Sequence, residues 1–219
     1  MKKILVPVDF SANAKHALRT AATIAARYHA WLEVLHVNTA IAYAPALPEY
    51  PGIGTYDMTD YYDSVADEFR AMKKELLEDP AFENMKIETR VEEGLLFSTV
   101  RKVCEEDSVG LIVIGTKGAT GAVEFFVGSN TEKVIRTAPC PVLAIPENSG
   151  SFNLRTVVLP TTLDEDQFPV FMQLASWQKH WKFEVKLLYL NNPGLFSSND
   201  EIEAAAKSFA GRAGLHDVT

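Results

Sequence analysis

Along the first 147 residues, short apolar runs alternate with longer stretches whose apolar positions recur at helical spacing. "KKILVPVD" is rich in Val and Ile and ends at Pro7 and Asp9, the pattern of a buried strand. "SANAKHALRTAATIAARYHA" follows. Its Ala14, Ala17, Leu18, Ala21, Ile24, Ala25 and Tyr28 fall on one helical stripe, and Ser11 stands where an N-cap belongs. "WLEVLHVN" predicts a second strand. Strand, helix and strand in this order form a βαβ unit, with parallel strands and a right-handed crossover.

The periodicity then breaks in "TAIAYAPALPEYPGIGTYDMTD", where Pro45, Pro48, Pro51, Gly52 and Gly54 exclude a regular element. A loop spanning about 39–59 in a compact domain is either functional or disordered. Its Tyr43, Tyr50 and Tyr56 either cover a ligand or partner or pack the loop onto the domain. Next come an amphipathic helix, "YYDSVADEFRAMKKELLED", and an alternating strand, "MKIETRVEEG". In the helix "LLFSTVRKVCEED", Leu96, Val100 and Val103 face inward. "VGLIVIG" is the nearly unbroken apolar run of a central parallel strand. A glycine-rich segment, a short helix "SNTEKVIRTA" and a last strand "CPVLAIPE" complete the pattern. The expected fold is α/β, an open doubly wound parallel sheet of Rossmann-like type over residues 1–147.

Past the polar "NSGSFN", the start of the chain repeats. "TVVLPTTLDEDQFPVFMQLASWQKHWKFEVKLLYLN" aligns without a gap on "KILVPVDFSANAKHALRTAATIAARYHAWLEVLHVN". Pro160 falls on Pro7, Phe171 on Leu18, Leu174 on Ala21 and Asn191 on Asn38. Residues 152–219 therefore read as a partial second βαβ repeat followed by a helix, "DEIEAAAKSFAGRAG". The strands that would complete a second domain do not follow. Either the chain is a fragment of a longer tandem protein, or a neighbour supplies the missing partners.

Composition narrows the function classes. A net charge of −8 without a basic stripe argues against nucleic acid. No apolar run reaches the length of about 18 residues that a membrane span needs. The N-terminal "MKKILVPVDF" is too short and too soon broken for a signal peptide, so the expected location is cytoplasmic. Cys104 and Cys140, the only cysteines, show neither a disulfide framework nor a metal spacing and read as small buried hydrophobes. His36, in an apolar strand, reads as a satisfied core histidine. The acidic pairs Glu92-Glu93 and Glu105-Glu106 fall where solvated charge is the default. No catalytic Ser-His-Asp grouping, paired carboxylates or metal-ligand set emerges, so no catalytic or metal residues are assigned.

The candidate chemistry lies in "GTKGATGAVEFFVGSNTEKVIR", from Gly115 to Arg136. Ligands of open α/β sheets bind beyond the carboxyl ends of the strands, and Gly115 ends the fourth strand. Gly118 permits a tight turn and close backbone approach. Gly128 precedes Ser129, Asn130 and Thr131, which open a helix. A helix N-terminus offers unpaired amides and partial positive charge to an anion, and Ser or Thr hydroxyls add donors. Two other nucleotide motifs fail. "PVDFSA" after the first strand contains no glycine, against a dinucleotide fingerprint. "GLIVIGTK" has Thr116 and Lys117 in the wrong order for a P-loop.

These features together resemble the universal stress proteins. Their ATP-binding branch carries G-x2-G-x9-G-[ST] after the fourth strand, which Gly115, Gly118, Gly128 and Ser129 match at every spacing. "ILVPVDFS", "VLHV" and "APCPVLAIP" resemble the family's first, second and last strands. The resemblance implies the adenine nucleotide alpha hydrolase-like variant of the fold and a site for ATP, with or without Mg2+. It implies that Pro7, Val8, Asp9 and Val37 surround adenine and ribose. Asp9 would accept hydrogen bonds, and Val37 would give an apolar wall and backbone groups. Gly115 and Gly118 would approach ribose and phosphates, and Gly128, Ser129, Asn130 and Thr131 would bind phosphate oxygens. Lys117 occupies a variable motif position from which its charge could offset the phosphates. Asp9 has a rival role as a cap of the first helix, and Lys117 as a solvated lysine. The resemblance further implies a homodimer through the Val142–Pro146 strand, or an exchange of segments. The expected function is a nucleotide-sensing stress-response regulator. The alternatives are a slow ATPase or adenylyl transferase, disfavoured by the lack of H-x-G-H, and a scaffold with an empty site. The sequence names no client protein.

Overall fold

Lys3–Val8 (β1) is buried along its whole length, as a strand flanked on both edges and both faces must be. The computed structural model describes residues 1–39, 58–116, 128–191 and 197–219. They fall into two compact units, Met1–Phe152 and Asn153–Thr219.

In the first unit, β1 leads into Ala12–Tyr28 (α1) and Trp31–Asn38 (β2). Met58–Leu77 (α2), Ile87–Glu93 (β3), Leu96–Asp107 (α3) and Leu111–Gly115 (β4) follow. Ser129–Thr137 (α4) and Val142–Ile145 (β5) complete it. The five strands are parallel, in the order β3-β2-β1-β4-β5. The chain winds outward from β1 to β3, then resumes at β4 on the other side of β1. The switch point of this doubly wound sheet thus lies between β1 and β4.

Alternation along the strands supplies a core on each face. Leu5, Leu35, Ile112 and Ile114 join Val100 and Val103 of α3 and Val134 of α4 in one buried cluster. Ile4, Val6, Val34 and Val113 are buried at the alternate positions. Ser11 caps α1 by accepting from the Ala14 amide at 3.2 Å. α1 stops at His29, whose φ of 50° lies in the left-handed region.

Charge is also buried between strands. Lys3 donates to Glu33 at 2.8 Å, and the two residues are only 7% and 5% exposed. Asp107 lies 3.5 Å from the Lys3 ammonium and 3.0 Å from the Arg90 guanidinium, so three strands and the end of α3 share one ion-pair network.

In the second unit, Thr156–Thr161 (β6) and Glu184–Tyr189 (β7) are parallel and flank Phe168–Gln178 (α5). Asn199–Ala213 (α6) follows, opened by a capping box between Ser198 and Glu201. Phe171, Leu174, Phe183, Val185 and Phe209 form its core. The β6–β7 register reproduces β1–β2: Thr156 pairs with Glu184 as Lys3 pairs with Trp31, and Pro160 with Leu188 as Pro7 with Leu35. The helices differ. Residues Glu165–Gln167 are a 3-10 turn, and α5 starts only at Phe168 with Pro169 in its first turn. Trp177 and Trp181 both pack on the core, but Trp181 lies beyond the helix and bonds back to the Trp177 carbonyl at 2.9 Å. The last residues add to β7, with a parallel bridge between Val185 and Val218.

Candidate functional site

The ladder between β1 and β4 is short. It joins Ile4 to Leu111 and Leu5 to Ile112, whereas β1 and β2 pair from Lys3–Trp31 through Val8–His36. Pro7 has no amide proton to extend the β4 side. The sheet therefore parts at the carboxyl ends of β1 and β4, where Val8, Asp9, Gly115 and Thr116 emerge.

Asp9 is exposed at the end of β1. Its Oδ1 accepts from the Ser11 amide at 3.1 Å and the Ser11 hydroxyl at 2.6 Å, closing a turn through Phe10, whose φ is 62°. Ser11 is the helix cap and Asp9 holds that cap in place, so the capping role considered for Asp9 is indirect.

The turn throws the Phe10 ring against His36, with centroids 4.7 Å apart, and edge-on to Phe69 at 5.3 Å. His36 is bonded at both nitrogens. Nδ1 lies 2.9 Å from the Val8 carbonyl, which can only accept, so Nδ1 carries a proton. In the neutral ring Nε2 then accepts from the Tyr61 hydroxyl, also at 2.9 Å. Tyr61 meets Tyr62 edge-on at 5.4 Å, and the Tyr62 hydroxyl bonds Glu93. That carboxylate raises the Tyr62 pKa, with burial adding to the effect. His36 is thus a satisfied histidine. The wall of Phe10, Tyr61 and Tyr62 is a feature that helical periodicity did not single out. Val37, read as an apolar wall, is only 8% exposed and turns into the core cluster, leaving mainly its backbone to a ligand.

On the β4 side, two hydrogen bonds fix the start of α4 against the end of β4. The Gly128 amide donates to the Thr116 carbonyl at 2.8 Å, pinning together the two ends of the glycine-rich loop. The Thr131 hydroxyl, buried at 5% exposure, donates to the Gly115 carbonyl at 2.9 Å. Thr131 therefore spends its hydroxyl inward, anchoring α4 to β4, while its amide belongs to the first helical turn. Gly128 is the N-cap of α4 and supplies no side-chain cap. The first intrahelical bond runs from the Glu132 amide to the Gly128 carbonyl at 3.0 Å, so the preceding amides of Ser129, Asn130 and Thr131 are the unpaired donors of a helix start. Ser129 and Asn130 are exposed.

A side chain would be crowded at both described glycines here, more severely at Gly115. A Cβ on Gly115 would stand 2.7 Å from Nδ2 of Asn13, in the first turn of α1. One on Gly128 would stand 3.2 Å from the Thr116 carbonyl oxygen. Pro7, Val8 and Asp9 thus lie at one lip of the sheet, and Gly115, Gly128, Ser129, Asn130 and Thr131 at the other. Lys117 and Gly118, and the loop containing Tyr43, Tyr50 and Tyr56, lie outside the described residues. Among the described residues no group of three or more His, Cys, Asp or Glu could hold a metal ion. No helix among them is long and apolar enough to cross a membrane.

Comparison with known proteins agrees with this architecture. A model of the universal stress protein family matches residues 1–146. A protein of Staphylococcus aureus (strain USA300), named as a putative universal stress protein, is 30% identical over 167 residues, covering 75% of this chain and 95% of its own. The solved structure of hypothetical protein MJ0577 superposes with a TM-score of 0.56 at 25% identity, over 68% of this chain and 98% of that one. Universal stress protein UspA from Lactobacillus plantarum is 26% identical with a TM-score of 0.48, over 66% and 97% of the two chains.

Proposed function

This chain belongs to the universal stress protein family, and we propose that its first unit binds one adenine nucleotide, ATP, in the opening between β1 and β4. The observation that carries the reading is the pinch of Gly128 on Thr116. It presents the uncapped first turn of α4 at the topological switch point of the sheet. Amides of Ser129, Asn130 and Thr131 and the exposed Ser129 side chain bind phosphate oxygens, aided by the partial positive charge of the helix start. Gly128 leaves room for an oxygen close to the backbone. Gly115 and Gly118 line the approach to ribose and phosphates, and Lys117 offsets phosphate charge. Pro7, Val8, Asp9 and the Val37 backbone hold adenine and ribose, with Asp9 accepting from an amine or a hydroxyl. Mg2+, when it accompanies the nucleotide, would bind through phosphate oxygens.

The nucleotide acts as a signal read by the protein, and no turnover is part of the reading. Residues 152–219 form a degenerate second repeat, supported by the shared strand register. The reading assigns it no nucleotide, because Asp9 is replaced by Thr162 and Val37 by Leu190. β5, the edge of the first sheet, pairs with its counterpart in a homodimer. Calorimetric titration of nucleotide-free protein tests the binding directly. Phosphate release under single-turnover conditions separates a sensor from a slow ATPase.

A further inference from the structure

We propose that the outer face of the β6–β7 sheet is a docking surface for an amphipathic helix of a second protein, with an apolar seam that ends in carboxylates. Side chains along β6 and β7 alternate between two faces. Val157, Leu159, Val185 and Leu187 turn inward to the core of the second unit. Val158, Leu188 and Leu190 lie on the other face and are 57%, 50% and 58% exposed. The register sets Val158 beside Lys186 and Pro160 beside Leu188, so the apolar groups form one strip. Exposed strand positions ordinarily carry polar side chains. A parallel pair of strands is ordinarily covered on both faces, and this pair is covered on one.

The first unit shows what covers such a face. In the gapless alignment of the two halves, Val158, Leu188 and Leu190 stand where Leu5, Leu35 and Val37 stand. Those three are buried in one cluster with Val100, Val103 and Cys104 of α3 and Val134 of α4. A helical layer is therefore the cover that this strand geometry accepts.

Charge sets the chemistry of the partner. Lys186 takes the place of Glu33, and Thr156 that of Lys3, so the buried pair of the first unit is not repeated. Lys186 is exposed, and its pairing with Glu184 is long, at 3.7 Å, and open to water, where such a pair contributes little. Beside an apolar strip this ammonium is complementary to a carboxylate. In the first unit Asp107, the last residue of α3, reaches the equivalent end of the face and lies 3.5 Å from the Lys3 ammonium. The fitting helix thus has the pattern of α3, apolar as at Val100, Val103 and Cys104 and acidic over its last turn as at Glu105, Glu106 and Asp107. A second copy of this chain does not offer α3, which is already committed to its own sheet.

The probe is a synthetic peptide with the sequence of residues 95–108. A hydrocarbon staple joins positions 98 and 102, which are exposed in α3, because a free helix this short is marginal in water. It is titrated into the full chain, labelled at Val and Leu methyls and followed by NMR. Saturable shifts should appear at Val158, Leu188 and Leu190, reaching saturation below about a millimolar, while Leu5 and Leu35 stay unmoved. Leu188→Lys, at an exposed position, should keep the native spectrum and weaken binding at least about tenfold. Lys186→Glu, which reverses the charge and leaves the apolar strip whole, should weaken it as well. A peptide carrying Val100→Asp and Val103→Asp should not bind. Absence of saturation at millimolar peptide, shifts confined to other residues, or equal affinity in Leu188→Lys would overturn the proposal. So would a Leu188→Lys protein whose light-scattering mass falls to half that of the parent without peptide, which would make the face an interface between copies.

Discussion

Thr131 and Gly115 are joined by a buried hydrogen bond of 2.9 Å, from the threonine hydroxyl to the glycine carbonyl. This bond ties the first turn of one helix to the last residue of a central strand. It makes the candidate phosphate cradle part of the core instead of a loose loop. Replacing Thr131 by Val keeps the shape and removes the donor, leaving a carbonyl unsatisfied. The expected loss is about 1–3 kcal/mol. Urea denaturation should show a lower midpoint with an unchanged slope. An unchanged midpoint would mean that the bond does not anchor the helix.

Gly115 should tolerate no side chain. The added methyl of Gly115→Ala would meet the Asn13 amide at 2.7 Å and its backbone carbonyl carbon at 3.3 Å. Overpacking of this kind costs about 1–3 kcal/mol. Because α1 or β4 must shift, nucleotide affinity should fall along with the melting temperature. A variant as stable as the parent would show that the start of α1 yields easily.

The Lys3–Glu33 pair gives a pH-dependent signature. Burial pulls the Lys3 pKa down, but the hydrogen bond and charge of Glu33, helped by Asp107, outweigh it and hold the value above 10.5. The folded state therefore binds this proton more tightly than the unfolded state. Its stabilisation is complete below pH 10.5 and is lost as pH climbs through the higher folded value. Glu33→Ala leaves a buried ammonium with a weakened partner set, at a cost of about 3–5 kcal/mol. Denaturation midpoints measured upward from neutral pH should fall above 10.5 in the parent, and that fall should be smaller in the variant.

Assembly is checked by mass. Light scattering at micromolar concentration should give twice the 24.2 kDa of one chain if β5 pairs with its counterpart. A strictly monomeric mass would count against that edge as an interface.

Much of this fold was legible because its signals are local. "WLEVLHVN" marks β2 from Trp31 to Asn38, and "SNTEKVIRTA" marks α4 within a residue of its end, since apolar runs and helix starts are written within a few positions. The glycine spacing pointed to the carboxyl end of β4 for the same reason. What stayed hidden depends on contacts between distant segments. No periodicity announces that Thr131 turns inward to Gly115 or that Phe10 adopts a positive φ. Phe10, Tyr61 and Tyr62 read singly as helix or turn residues, and they become a wall only when β1, β2 and α2 converge. In α5, Pro169 was visible, but its effect of delaying the helix to Phe168 was overshadowed by the gapless alignment on α1.

The central claim, one adenine nucleotide held between β1 and β4, is tested most directly by calorimetric titration of nucleotide-free protein with ATP, in parallel with Gly128→Val and Asp9→Ala. The parent should saturate at one equivalent per chain. Gly128→Val, which crowds the space beside the Thr116 carbonyl, should abolish binding while the circular dichroism spectrum stays native, and Asp9→Ala should weaken the same event. Absence of saturable binding, two equivalents per chain, or an unchanged affinity in a folded Gly128→Val protein would contradict it.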